Sequence, residues 1–275
     1  MAKLVTFESP SADRSPSSTI WADCPGAGLI ANGKGYWFHD EFLGGVADTV
    51  ATNEQRPIVG HTFNLDCDDD TVLSFKASED GGYQDIETDG DNGDGWAFFT
   101  EPFCKLTKGR KVWLEGRLEL GDADAQQAFF FGLAEEAALS RDFVNDDCDN
   151  LITETMIGFR LFDEEDAIDV IAQKDASAEV VIASDVTNLD VLDAVLGSGS
   201  KAALADNTEI KLGLCYDGDE TVEFFVNSVR IIGWTLDSTY YDATKSLAFL
   251  AGLKVCDDGD AQSAAFDWVQ GAATY

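Results

Sequence analysis

Positive charge is what this sequence most lacks. Against 52 aspartates and glutamates stand 18 lysines and arginines, for a net charge of −34. Phosphate backbones are bound through basic patches, so nucleic acid is excluded as a partner. An anionic membrane surface repels the chain for the same reason. Long apolar runs are missing too. No stretch approaches the ~18 residues of a membrane-crossing helix. The opening MAKLVTFESPSADRSPSSTIWADC lacks the run of about seven apolar residues that a secretory signal carries, so synthesis in a cytoplasm is the expectation.

Histidine is scarce, with His39 and His61 far apart and no Cys or His close to either. No G-x-S-x-G elbow supports a nucleophilic triad. No Walker A motif appears, and Gly26-x-Gly28 has neither the preceding strand nor the following helix of a dinucleotide site. The cysteines Cys24, Cys67, Cys104, Cys148, Cys215 and Cys256 are scattered, without a C-x-x-C pair, which excludes the usual zinc spacings. A core of this size needs no staple and a cytosol keeps thiols reduced, so free and mostly buried thiols are expected.

What is present is a β-rich chain of 275 residues, 45% hydrophobic, long enough for one sizeable core. Three of its five prolines, many serines and glycines at 26, 28, 33 and 35 fall in residues 1–35. That composition reads as an extended N-terminal arm, with a short strand at Lys3–Phe7. Trp21, Leu29 and Ile30 within it are apolar side chains in search of a surface, and are the candidate partner-binding residues.

From Tyr36 to Tyr275, short apolar runs alternate with Asp/Gly/Asn breaks. The predicted strands are Val72–Lys76, Trp96–Phe99, Lys111–Leu120, Gln127–Ala134, Met156–Phe162, Ile168–Lys174 and Val180–Ala183, then Thr208–Tyr216, Thr221–Val226, Val229–Leu236, Leu247–Lys254 and Ala264–Val269. In Lys111–Leu120, Val112, Leu114, Gly116, Leu118 and Leu120 share one face, while Trp113 sits among charges on the other, which implies that this second face is partly covered. Thr208–Gly233 reads as a three-stranded meander with turns at Asp217–Glu220 and Asn227-Ser228. Helix signals are confined to one or two turns in Ala134–Arg141 and a short helix at Asn188–Leu196. Residues 36–275 are therefore expected to form one all-β domain, an antiparallel two-sheet β-sandwich of the jelly-roll, concanavalin A-like or laminin G-like kind.

Several segments resemble a family of tailed-phage virion structural proteins. WFHDEFLGG at Trp37–Gly45 is similar to that family's F-x-D-D-F-x-G-G segment, and EPFCKLTKGRKVWLEGRLEL at Glu101–Leu120 to its E-P-F-x-L-x-x-G-K-x-L-W-F-E-A-R-V segment. FFFGLAEE at Phe129–Glu136 and MIGFRLFDEEDAIDVIAQKD at Met156–Asp175 resemble its F-F-G-L and G-F-R strands. DGDETVEFFVNSVRI at Asp217–Ile231 resembles a hairpin shared by many concanavalin-like domains, and AFDWVQ at Ala265–Gln270 the closing strand. The resemblance implies a jelly-roll subunit on a virion. The function expected from it is non-enzymatic: a capsid decoration protein that binds the major capsid protein, and other copies of itself, on the capsid surface. The alternative is a carbohydrate-binding module of a virion that attaches to host glycans, and behind it a sandwich-fold glycoside hydrolase.

Residue by residue, the chemistry looks sparse. A retaining hydrolase needs two carboxylates about 5 Å apart, commonly set on one strand as E-x-D-x-x-E. The nearest string, Glu164-Glu165-Asp166-Ala167-Ile168-Asp169, sits in a charged turn and suits a solvated hairpin tip. No cofactor is expected. Among the Asp-rich loops, Asp85, Glu87, Asp89, Asp91 and Asp94 are the best calcium candidates, although Trp96 stands where an EF-hand needs its glutamate. Trp234, Tyr240 and Tyr241 are candidate sugar-stacking rings. Phe129-Phe130-Phe131 presents aromatic rings to both sheet faces, so at least one ring needs a cover, most simply an internal loop.

Overall fold

The computed structural model describes residues 15–42, 47–58, 62–76, 83–121, 127–145, 147–162, 167–175, 177–190, 192, 206–256 and 261–275. The strand expected at Lys3–Phe7, the turn at Glu164–Asp166 and most of the helix expected at Asn188–Leu196 lie outside them.

In chain order the early strands are β1 (Gly35–Asp40), β2 (Asp48–Thr49), β3 (Glu54–Pro57), β4 (Asn64–Cys67), β5 (Val72–Phe75), β6 (Gln84–Glu87) and β7 (Gly95–Phe99). The long central strands follow as β8 (Val112–Leu120), β9 (Gln127–Glu135), β10 (Met156–Leu161), β11 (Asp169–Gln173) and β12 (Val180–Ala183). The chain finishes with β13 (Ile210–Tyr216), β14 (Thr221–Val226), β15 (Val229–Thr235), β16 (Leu247–Val255) and β17 (Ser263–Thr274). All pairings are antiparallel.

Two sheets result, as the alternating pattern predicts. The first runs β15-β14-β13-β8-β17-β6-β5-β2, with β1 also paired to β17. The second runs β12-β11-β10-β9-β16-β7-β4-β3. Between them Phe63, Phe98, Phe131, Phe159, Phe224 and Phe249 pack with aliphatic residues from both sheets into the main core. The meander forms as read: Asn227 and Ser228 both take positive φ, 49° and 68°, as a tight two-residue hairpin turn demands.

The outer faces are covered as well. Strands β8, β9 and β16 are buried along their whole length instead of alternating with solvent. On the second sheet the cover is the 136–155 segment, which opens with a single 3₁₀ turn at Glu136–Ala138. It lays Phe143, Val144 and Leu151 over Phe130 and Leu250, so the expected internal cover for the Phe129–Phe131 run is found. On the first sheet the cover is residues 15–34, carrying a short helix α1 (Gly28–Ala31). Ile20 and Leu29 join Trp113, Phe225 and Ala272 in a small cluster of their own.

One expectation is corrected here. Cys148 and Cys256 form a disulfide across a sequence separation of 108. It ties the 136–155 cover to the end of β16. Spacing alone hid the pair, because the fold brings together residues the chain keeps far apart. Cys24, Cys67, Cys104 and Cys215 are free, and Cys67 and Cys104 are buried.

Candidate functional site

The edge of the second sheet carries a cleft of about 420 Å³ lined by Gln55, Arg56, Pro57, Asn64, Phe99, Thr100, Glu101, Pro102, Glu136 and Leu139. This falls within the range of small-ligand sites. Strand pairing builds one side of it: Pro57 lies opposite Asn64, and Asn64 opposite Phe99. The 3₁₀ turn that begins the 136–155 cover supplies Glu136 and Leu139. The disulfide therefore belongs to the segment that contributes to the cleft's lining.

The lining mixes apolar and polar groups. Phe99 and Leu139 are nearly buried, 5% and 9% exposed. Asn64 Nδ2 donates to Glu101 Oε1 at 3.4 Å. Arg56 is held from two sides, with Nη1 2.8 Å from Asp48 Oδ2 and Nε 2.9 Å from Glu54 Oε1. The Arg56 guanidinium holds the Asp48 carboxyl below the usual carboxylate range. Glu101 and Glu136 are exposed, and neither has a cationic partner among the described residues.

The calcium candidates separate into two groups. Asp89, Asp91 and Asp94 come together, their carboxylate oxygens all within 4.8 Å of one another. Burial and a hydrogen bond with Asp89 push Asp94 up to about 7, while that shared bond lowers Asp89. Near neutral pH the pair can thus share a proton. Asp85 stands apart on β6, raised by burial, and Glu87 is an exposed residue at the strand's end. A second acidic group, Glu135, Glu154 and Asp175, was not singled out from sequence. It has its own cation in Lys245, 2.6 Å from Glu135 Oε2 and 3.5 Å from Asp175 Oδ2.

The candidate partner-binding residues are turned inward or split. Trp21 is half-buried, its Nε1 donating to Glu115 Oε2 at 2.7 Å, and Ser17 N donates to the same oxygen at 2.8 Å. Leu29 is buried under β1, whereas Ile30 is 55% exposed. The candidate stacking rings do not line the cleft. Tyr241 is buried and accepts a hydrogen bond from Leu106 N, while Trp234 and Tyr240 pack partly against the core. His39 sits half-buried on β1 within hydrogen-bond reach of Glu41.

The cleft residues escaped the sequence reading because they come from separate stretches, each ordinary by itself. The signal nearest to hand was positional: Glu101 and Glu136 each follow within two residues of a predicted apolar strand, Trp96–Phe99 and Gln127–Ala134.

No protein-family model matches the chain, and no curated protein matches it. Among solved structures the chain is similar in fold to a glycoside hydrolase family 16 endo-glucanase from Bacteroides ovatus, with a TM-score of 0.52 and 12% identity over 85% of this chain and 99% of that one. A β-1,3-glucanase from Mycobacterium marinum gives a TM-score of 0.51 and 13% identity, covering 85% and 97%. A Bacteroides ovatus family 16 protein of a mixed-linkage glucan locus gives 0.51 and 13%, covering 85% and 99%. At such identities the likeness shows the fold. The jelly-roll sandwich expected from sequence is therefore found. The expectation of a non-enzyme is corrected: the same architecture, matched along nearly the whole length of these proteins, is that of glucan-cleaving enzymes, so a sandwich without E-x-D-x-x-E gives no ground for excluding catalysis.

Proposed function

We propose that the chain is a carbohydrate-binding jelly-roll protein and that the cleft between β3, β4, the end of β7 and the Glu136 turn holds the glycan. The observation that carries this is the lining itself. Pro57 and Pro102, backed by the nearly buried Phe99 and Leu139, offer apolar surface for the faces of sugar rings, and Gln55, Asn64 and Glu101 offer donors and acceptors for hydroxyls. The fold shared with glucanases supports the reading. The decoration role suggested by the phage-like segments needs a leader free to grip a neighbour. Over residues 15–34 that leader is bound to the chain's own sheet, which is why the cleft and not the leader anchors our reading.

Calorimetric titration against a panel of oligosaccharides tests it. Binding is expected for at least one neutral glycan, weakened about tenfold by Asn64→Ala through the lost hydrogen bond. Wild-type protein that binds none of the panel sinks the proposal.

One observation favours a second reading, glycoside hydrolysis in the same cleft: two carboxylates, Glu101 and Glu136, line it from different segments. One would protonate the leaving oxygen while the other acts as nucleophile or activates water. Release of reducing ends from a bound glucan, abolished in both Glu101→Gln and Glu136→Gln, is the result this reading requires.

A further inference from the structure

The cleft's charges are arranged in a way that selects among glycans. Among the described residues that line it, Arg56 is the one cation. Two of its three nitrogens are engaged, Nη1 by Asp48 and Nε by Glu54, while Nη2 is buried without a hydrogen-bond partner, and neither of those acids lines the cleft. A guanidinium held between two carboxylates presents little net attraction to an incoming anion. Glu101 and Glu136 add negative charge with no cation to offset it among the described residues. The chain around them carries −34.

We infer that the cleft sorts glycans by charge, admitting uncharged chains and repelling uronate and sulfated ones, and that Asp48 and Glu54 set this selection from outside by neutralising Arg56. The inference rests on the glycan-binding reading. Each facing carboxylate within several ångströms of a ligand anion weakens binding by about five- to tenfold at low salt, and the effect shrinks as the Debye length falls to about 8 Å at physiological ionic strength. Uncharged ligands feel neither effect. Removing Asp48 or Glu54 leaves the cleft's lining in place and frees one side of the guanidinium for an anion, to which Arg binds in a fork geometry.

The test compares neutral oligosaccharides with oligouronates of matched length, at low and physiological salt, on wild type, Asp48→Asn and Glu54→Gln. Thermal melting confirms that each variant is folded. Wild type should bind the neutral ligand with a salt-independent affinity and the oligouronate at least about tenfold more weakly at low salt, with the gap narrowing as salt is added. Each variant should tighten oligouronate binding about tenfold while the neutral affinity moves less than twofold. Wild type that binds oligouronate as tightly as the neutral ligand overturns the charge selection and leaves the glycan reading standing. Variants with unchanged oligouronate binding overturn the role of Asp48 and Glu54. Absence of binding to every ligand by every form removes the glycan reading, and the inference with it.

Discussion

The two outer faces of the sandwich are covered by different physics. On the second sheet the 136–155 segment is fixed by apolar packing and a covalent bond. Phe143 fits over Gly252 so closely that a Cβ there would lie 2.6 Å from its ring, and Cys148 joins Cys256. Arg141 adds ion pairs to Asp66 and Asp68 on and just beyond β4. On the first sheet the leader also meets a glycine, since a Cβ at Gly213 would lie 2.5 Å from Ile20. Beneath it, however, lies a charge, Glu115 under Ser17 and Trp21, and further along β8 the buried Arg117 is paired with Asp267 and Glu209. The difference teaches that full burial of a strand can arise from an apolar cover or from a polar one, and the two respond to different conditions. The first should yield to reduction and cavity creation, the second to pH.

The largest effect expected lies on the apolar side. Removing the disulfide with Cys148→Ala and Cys256→Ala frees a loop of about 108 residues, and the chain-entropy account gives a loss near 4–5 kcal/mol. Urea unfolding of the oxidised protein and the double variant measures it, and equal midpoints would mean that the bond adds nothing to the cover. Next comes Phe143→Ala, which empties a fully buried site at a cost of about 3–5 kcal/mol. The corresponding Ile20→Ala on the leader should cost less, about 2–4 kcal/mol, and the order of the two sharpens or breaks the contrast between the faces.

The polar cover supplies the pH prediction. Burial lifts Glu115 to about 7 under the leader, well above its ordinary value near 4.5. A raised pKa in the docked state means that docking takes up a proton. The contribution to docking is fully present below the ordinary carboxylate range and is lost as pH rises through about 7. Proteolysis of the leader should therefore accelerate between pH 5 and pH 8 (roughly the window set by the two values), with a parallel change in Trp21 fluorescence. In Glu115→Gln this dependence should flatten, and an unchanged pH profile would remove Glu115 from the account. Smallest of all, the exposed pair Arg230–Glu223 should be worth under about 1 kcal/mol in a double-mutant cycle.

Much of the fold was legible because long strands of alternating β-branched and aromatic residues identify themselves. Val180–Ala183 and Thr221–Val226 form over the predicted ranges. Most strands that escaped were short and polar, such as EQRP at Glu54–Pro57 and QDIE at Gln84–Glu87, although the aromatic β1, GYWFHD at Gly35–Asp40, escaped as well. They owe their state to neighbours already in the sheet, a context that local propensity does not register. Strand β17 runs on past Val269 through Gly271 and Ala273, poor strand formers, because β8 pairs with it on one side and β1 on the other. The mixed face of β8 did announce a cover through Trp113, but not what the cover would be. The cleft was nearly invisible, since Arg56, Asn64, Glu101 and Glu136 share no pattern and meet only when the edge strands and the 136–155 segment are in place.

By itself the sequence determined the architecture: the period-2 alternation of apolar residues and the turn residues between them leave two stacked sheets as the way to bury these side chains. Tertiary structure alone decided which cysteines pair, what covers each outer face and where a ligand-sized hollow opens, because each of these depends on residues far apart in the chain arriving within a few ångströms of one another.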